Sequence, residues 1–414
     1  MYKIDCENSV YFYDEQRGII YDEDRMVVNP PHTTKIKSDE QQYFVVTDDT
    51  RFNYNTKNIK FVRISLGTAC NYRCKYCLES QHDKRPVKVF VDEIINNIIK
   101  SGIRVDLIER IDFWGGEPLL YWDCIKSLVD GFEQIGFVGI FTFTTNGSLF
   151  TDQIADFCIK HKIHAIFSHD GPTFTKYRYK KDWLDDENIR KQVLRMHQHD
   201  LANTYIVVGP HNNDFNEIIK YFESKFGRKV KMCWSRPLRV YSRDDYFFDF
   251  YKNKQAVNKL TEQYYLGIKS NDEYFTNCIR HKNEFMERLL RNAPEKCSYG
   301  LRSLTCDPRD SIIINNKGEL IPCANTTIYN KTIGGDICNL SQAYITIPSQ
   351  HVNRKRCLKC LYRVACGGLC TNIDDTTHMY VCYSTKPYFK ALFRAAIEDI
   401  IKDVVISIKR TKHF

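Results

Sequence analysis

Three cysteines fall within eight residues in the stretch GTACNYRCKYC, at Cys70, Cys74 and Cys77. A structural zinc ion takes four ligands. A cubane 4Fe-4S cluster normally carries one thiolate on each of its four irons. Three thiolates on one short loop can meet one face of such a cube, which leaves the fourth iron open to a ligand from outside the chain. The spacing therefore points to a cluster that binds a substrate or cofactor directly. A second cysteine-rich region follows much later. Cys306, eleven residues, Gly318, four residues and Cys323 are followed by Cys357-x2-Cys360-x5-Cys366-x3-Cys370 and, eleven residues on, Cys382. Cys297 lies upstream of this run, and Cys338 is left over. A lone C-x2-C suits zinc, and four-cysteine spacing by itself does not separate zinc from iron and sulfide.

The elements that must position the triplet are legible as an alternation. Strand-like FVRISL precedes helix-like VFVDEIINNIIKSG, RIDFW precedes YWDCIKSLVDGFEQIG, GIFTFT precedes TDQIADFCIKHK, and HAIFS precedes a polar helical stretch from Asn188 to His199. TYIVV then precedes NDFNEIIKYFESKFG, and KVKMCW closes the series near Ser235. Six apolar strands alternating with helices predict a parallel sheet with right-handed crossovers. Six units are too few for a full eight-stranded barrel, so the fold class is α/β with a partial (β/α)6 TIM-type barrel. The unusual loops all follow strands: the triplet, GGEP at 115–118, TNG at 145–147, SHDGP at 168–172, GPHNN at 209–213 and SRP at 235–237. The carboxyl ends of parallel strands share one rim, where ligands bind.

The domain reading is a small β-rich N-terminal segment over 1–58, the barrel over 59–240, a helical bridge over 241–296, a turn-rich cysteine domain over 297–385 and a C-terminal helix over 386–414. The chain has 414 residues, 43% of them hydrophobic and 27% charged, which is ordinary for a globular protein. No apolar run is long enough for a membrane span, and the N-terminus has no secretory pattern, so the expected location is cytoplasmic and no membrane partner is expected. Disulfides are disfavoured there, and seventeen cysteines is an odd number, so metal is the expected use. The net charge of +9 is compatible with an acidic peptide or with nucleic acid, but no single Lys/Arg run stands out, which favours a basic surface of no special purpose.

With Tyr76 before its last cysteine, Cys70-x3-Cys74-x2-Cys77 resembles the signature of radical S-adenosylmethionine (radical SAM) enzymes. The resemblance runs from Phe61 to about Leu238. It implies that S-adenosylmethionine chelates the open iron and is cleaved by one electron to a 5′-deoxyadenosyl radical, which abstracts a hydrogen atom from substrate. It assigns Gly115, Gly116 and Glu117 to the methionine amino group and places Ser168 and Asp170 in an S-x-D-G-P motif. Asn146 is placed on the same rim, and Arg178 becomes the candidate partner of the methionine carboxylate, two residues closer to the Asp-Gly-Pro than in sulfatase-maturing relatives. Structural readings stand beside these: a helix N-terminal charge for Glu117 and a turn residue for Asn146.

The second region closely resembles the SPASM domain, the C-terminal extension of many peptide-modifying radical enzymes. That resemblance implies two auxiliary 4Fe-4S clusters, one on Cys297, Cys306, Cys323 and Cys370, the other on Cys357, Cys360, Cys366 and Cys382. Both would be fully ligated by protein and carry electrons. Zinc is the competing occupant. Sulfatase-maturing members have an Asp directly after the cysteine of the Gly-x4-Cys motif; Ala324 stands there, which argues against formylglycine formation by that route.

The function implied is modification of a ribosomally made peptide or protein by crosslinking, oxidation or epimerisation, with a flavodoxin or ferredoxin as electron donor. The alternative is a small molecule, sugar, nucleotide or nucleic acid as substrate. RPLRVYSR, starting at Arg236, could contact a phosphate, and Arg236 is the catalytic candidate to test; an ordinary ion pair is its other reading. A non-catalytic electron-relay protein is the third possibility, disfavoured by the intact S-adenosylmethionine motifs.

Overall fold

The structure is a computed structural model of the chain. It describes residues 1–15, 18–28, 50–77, 79, 85–239, 246–290, 310–324, 332–347, 354–366, 368–370 and 373–411. In chain order the strands are β1 (Tyr2–Cys6), β2 (Val10–Asp14), β3 (Ile19–Tyr21), β4 (Thr50–Asn53), β5 (Phe61–Gly67), β6 (Arg110–Gly115), β7 (Ile140–Thr145), β8 (His164–His169), β9 (Ala202–Ile206), β10 (Met232–Trp234), β11 (Ser311–Ile314), β12 (Thr332–Gly334), β13 (Tyr344–Ile347) and β14 (Val405–Arg410). The chain divides into two compact units. One comprises residues 50–235 with 302–348; the other comprises 1–49, 236–301 and 349–414.

The first unit is built on a parallel sheet of seven strands in the order β10-β9-β8-β7-β6-β5-β11, the partial-barrel α/β architecture. Along β5, Val62, Ile64 and Leu66 are buried while Arg63 and Ser65 on the other face are only partly covered. This two-residue period puts the apolar set under the crossover helices. One such helix, Trp122–Gln134, buries Ile125, Leu128, Val129 and Phe132 at spacings of three and four, one stripe of a helical surface. On the opposite face, register places Arg63, Asp112 and Thr142 in one row. Arg63 Nε donates to Asp112 Oδ2 at 2.7 Å, and Thr142 Oγ1 donates to Oδ1 at 2.7 Å, so the buried carboxylate is satisfied.

The sheet has one strand more than the six of the alternation. The seventh, β11, comes from the cysteine-rich region and lies parallel beside β5, with Ser311 opposite Phe61 and Ile314 opposite Ile64. All four of its residues are buried, so this edge strand is covered on both faces. This unit also holds an antiparallel sheet in the order β12-β13-β4, so the end of the N-terminal segment pairs with β13.

The second unit carries the antiparallel sheet β14-β1-β2-β3 and the helices Tyr246–Lys252, Lys254–Ser270, Thr276–Leu290 and Asp375–Ile401. The expected terminal helix over 386–414 is corrected at both ends. Asp374 caps it by accepting the Thr377 N–H at 2.8 Å, and Lys402, at φ 59°, stops it. Val405, Ile406 and Ile408 are β-branched, and β1 offers them a free edge, so this last segment forms β14, with Ile4 opposite Ile408. No helix among the described residues is long and apolar enough to cross a membrane.

Candidate active site and second cysteine centre

The triplet loop leaves β5 at Gly67, whose φ of 143° only glycine adopts readily. The loop after β6 is pressed against it. Gly116 N–H donates to the Gly67 carbonyl at 2.9 Å, and Glu117 N–H donates to that of Ala69 at 2.7 Å. A Cβ on Gly116 would lie 2.3 Å from the Ala69 carbonyl oxygen, and one on Gly115 would lie 2.4 Å from that of Gly67. The close approach that these glycines permit is therefore to the cysteine loop itself.

Glu117 is fully buried. Its Oε1 accepts from Thr145 Oγ1 at 2.7 Å and from Leu119 N–H at 3.0 Å, and its Oε2 accepts from Asn146 N–H at 2.7 Å. An ionised carboxylate has about four acceptor positions, so one at Oε2 remains for a further donor such as an ammonium. Burial pushes the Glu117 carboxyl up to about 7, against the pull of the donors from Asn146, Thr145 and Leu119. Its bond to Leu119 N–H also caps the turn at Pro118, so the structural reading holds as well. Asn146 Nδ2 donates to Asn71 Oδ1 at 2.7 Å, and Asn71 Nδ2 donates to Ser148 Oγ at 2.9 Å, tying the β7 loop to the triplet loop.

On the other side Asp170, also fully buried, gathers three groups. The Tyr76 hydroxyl lies 2.7 and 2.6 Å from its two oxygens, Arg178 Nε donates to Oδ1 at 2.8 Å, and His211 Nε2 lies 3.3 Å from Oδ2. Burial alone would raise the Asp170 carboxyl. Arg178, His211 and the Tyr76 hydroxyl outweigh it and hold the group at about 2. Lys75 N–H donates to the Tyr177 carbonyl at 2.9 Å, a second fastening of the triplet loop. Ser168 is half-buried on β8, opposite Tyr205. Behind this clamp, His169 Nδ1 accepts the Gly171 N–H at 2.8 Å, so its Nε2 carries the proton and donates to Asp182 Oδ1 at 2.9 Å, with the Tyr221 hydroxyl on Oδ2. Cys70, Cys74 and Cys77 are each partly accessible. Burial raises the Cys74 thiol to about 12, Arg178 opposes this, and Cys77 and Cys70 add to it.

Of the second region, Cys297 and Cys306 lie outside the described residues. Cys323 falls in the first unit and Cys370 in the second. Cys357, Cys360, Cys366 and Cys382 converge in the second unit, where they line one cavity of about 720 Å³ together with His378 and Phe389. Burial raises all four thiols, Cys357 to about 11. Cations oppose the rise: Arg354 and Arg363 at Cys357, Lys386 at Cys360 and Cys382, and Arg236 at Cys366. Arg236, the catalytic candidate, lies with its guanidinium carbon 5.2 Å from the Phe389 ring centroid, beside this second centre. His378 Nε2 donates to the Gly368 carbonyl at 2.9 Å and lies 3.9 Å from Cys357 Sγ. Among the described residues no three cysteine sulfurs lie within 4.8 Å of one another. Sulfurs on one tetrahedral zinc ion, at 2.3 Å bonds, sit about 3.8 Å apart. The donor sets have the chemistry for a thiolate-held metal.

A parallel partial barrel with this loop after its first long strand defines a class, and the comparisons agree on it. Residues 64–170 match the family described as the Radical SAM superfamily. That segment is a radical SAM domain, and proteins of that class work with S-adenosylmethionine and a 4Fe-4S cluster. The chain is 24% identical over 374 residues to "Radical SAM cyclopropyl synthase TigE" of Paramaledivibacter caminithermalis, covering 83% of this chain and 75% of that protein. It is 29% identical over 280 residues to a GTP 3',8-cyclase of Clostridium botulinum, covering 65% of this chain and 82% of the other. The solved structure "Native anSMEcpe with bound AdoMet and Cp18Cys peptide" shares the fold, with a TM-score of 0.59 at 19% identity, covering 83% of this chain and 99% of that one.

Sequence reasoning singles out the triplet, the glycines, Glu117, Asn146 and Asp170 because each sits in a local motif, and the structure brings their loops together. Sequence reasoning misses Asn71, Thr145, Tyr177, His211, Arg354 and His378, whose partners lie on other segments. The rim loop GPHNN is the one signal in the sequence that points at His211.

Proposed function

We propose that this chain is a radical SAM peptide maturase that forms a bond within a ribosomally made peptide or protein. The observation that carries the proposal is the pairing of a three-thiol loop with a separate, complete four-thiol cavity ringed by cations. In this reading Cys70, Cys74 and Cys77 hold the 4Fe-4S cluster that leaves one iron to S-adenosylmethionine. Cys357, Cys360, Cys366 and Cys382 hold a fully ligated auxiliary cluster. The bound cofactors supply one-electron cleavage of the sulfonium and a hydrogen-abstracting 5′-deoxyadenosyl radical. Asp170, Tyr76 and Arg178 fix the triplet loop, and Glu117 offers its remaining acceptor position to the methionine ammonium.

The atom balance explains why two kinds of centre are needed. Joining two carbons that each carried a hydrogen removes one hydrogen atom, which 5′-deoxyadenosine carries away, then one proton and one electron. The electron requires an acceptor, and a cluster in a cationic cavity is one. The name of the relative TigE supports ring formation as the bond change. Likeness to GTP 3',8-cyclases supports a nucleotide substrate as the second reading, with bond formation retained.

The test is anaerobic incubation of iron-reconstituted protein, a flavodoxin or chemical reductant, S-adenosylmethionine and candidate precursor peptides, read by mass spectrometry. A peptide lighter by two hydrogens, with stoichiometric 5′-deoxyadenosine, is expected. A product formed from GTP and from no peptide would select the second reading.

A further inference from the structure

His169 stands between Ser168 and Asp170 and is fully buried. Both of its ring nitrogens are engaged. Nδ1 accepts the Gly171 N–H at 2.8 Å, and Nε2 donates to Asp182 Oδ1 at 2.9 Å. Asp182 is held by two further donors, the Leu184 N–H on Oδ1 at 2.8 Å and the Tyr221 hydroxyl on Oδ2. Burial alone would raise the Asp182 carboxyl, and the donors from His169, Tyr221 and Leu184 outweigh it, so it stays ionised. An ionised carboxylate only accepts, so it keeps the His169 proton on Nε2 and leaves Nδ1 as an acceptor. Phe174, Trp183 and Phe222 enclose the imidazole, with ring centroids 4.4, 5.3 and 5.1 Å away. An apolar side chain would fill such a cage at less cost in desolvation. What the histidine adds is a fixed acceptor for one backbone donor.

That donor belongs to the peptide joining Asp170 to Gly171. Gly171 has φ 58°, and a Cβ there would lie 3.4 Å from Ile218 on the helix Phe215–Phe226, which also carries Tyr221. The segment from His211 to Tyr221 therefore reaches Asp170 by two routes. His211 Nε2 lies 3.3 Å from Oδ2 directly, and Tyr221 acts through Asp182 and His169. We propose that His169 is a positioning residue: with Asp182 and Tyr221 it locks the Asp170–Gly171 peptide, so that Asp170 stays aimed at Arg178 and the Tyr76 hydroxyl and the triplet loop is preorganised for S-adenosylmethionine. The proposal rests on the reading that the triplet holds the cluster to which S-adenosylmethionine binds. The physical ground is that a loop ordered before binding leaves less ordering to be done by the ligand. The x position of S-x-D-G-P is open in that motif, and this chain fills it with a histidine of fixed tautomer.

The experiment compares full-length wild type, His169→Phe, His169→Asn and Tyr221→Phe. Samples reconstituted anaerobically with iron and sulfide are titrated with S-adenosylmethionine by calorimetry, and metal-free samples are compared by hydrogen–deuterium exchange over residues 168–178. His169→Phe keeps a ring and loses both hydrogen bonds. It should hold wild-type iron, exchange faster over 168–178 and bind S-adenosylmethionine about tenfold more weakly, the factor that one lost hydrogen bond carries. His169→Asn, whose amide oxygen falls near the Nδ1 position, should recover part of both losses. Tyr221→Phe removes one hydroxyl and should shift both readouts in the same direction by less. An iron-loaded His169→Phe with wild-type affinity overturns the proposal. So does a His169→Asn no better than His169→Phe, which would leave the imidazole as core packing. Should His169→Phe fail to fold, Tyr221→Phe decides, and wild-type affinity and exchange in that variant overturn the proposal. An iron-loaded wild type that does not bind S-adenosylmethionine overturns the reading of the triplet instead, and that result is visible before any variant is compared.

Discussion

Asp170 is surrounded by a tyrosine hydroxyl, a guanidinium and an imidazole, and the hydroxyl belongs to the residue before the last cysteine of the triplet. Tyr76→Phe keeps the ring and removes the donor. A hydrogen bond to a charged group contributes about 2 kcal/mol, so denaturant unfolding should show a loss of that order, with the affinity for S-adenosylmethionine reduced in parallel. The two buried carboxylates of the site respond to pH in opposite directions. Glu117, raised by burial from 4.5 to about 7, keeps a proton in the folded chain that the unfolded chain has released, so its contribution falls as pH rises through that window. Asp170, held at about 2 against an ordinary 3.8, contributes stability that is full above 3.8 and is lost only as pH falls towards 2. Between about pH 5 and 7.5 the wild-type unfolding midpoint should therefore drop relative to that of Glu117→Gln, which cannot titrate. Parallel midpoints would mean that Glu117 is ionised throughout the window.

At the scale of elements, the site depends on two loops that touch through backbone. Gly116→Ala would place a methyl 2.3 Å from the Ala69 carbonyl oxygen and 2.5 Å from that of Thr68, and neither is a flexible side-chain end. The loops must separate. The expected outcome is loss of the triplet's cluster, about four irons per chain, with the circular dichroism of the sheet and helices retained; full iron loading in this variant would show that the loops can yield. The strand–helix alternation was legible because each element repeats its own period locally, two along β5 and near four along Trp122–Gln134. The terminal run KPYFKALFRAAIEDIIKDVVISIK was harder. Lys386, Lys390, Arg394, Glu398 and Lys402 recur every four residues, a helical period, and the VVISIK that follows is too short to show a period of its own, so the pattern does not mark where the helix stops at Ile401 and β14 starts. That boundary depends on the edge that β1 offers.

At the scale of the whole molecule, the two cysteine centres should separate by function. Cys74→Ala should abolish 5′-deoxyadenosine formation. Cys360→Ala, in the second unit, should retain it, lose about four irons per chain and give little product; product at the wild-type level from this variant would remove the auxiliary centre from the reaction. The sequence by itself determined the number and spacing of the thiols, the order of six strands and their helices, and the rim loops, because each of these is written within a few consecutive residues. Only the tertiary structure decided that β11 joins the barrel sheet beside β5 and that Glu117 and Asp170 are occupied by Thr145, Asn146, Tyr76, Arg178 and His211. It alone placed His169 between Gly171 and Asp182 with both ring nitrogens engaged. The reason is physical: pairing, burial and the field at a charge depend on which segments meet in space, and local residue spacing carries no record of that meeting.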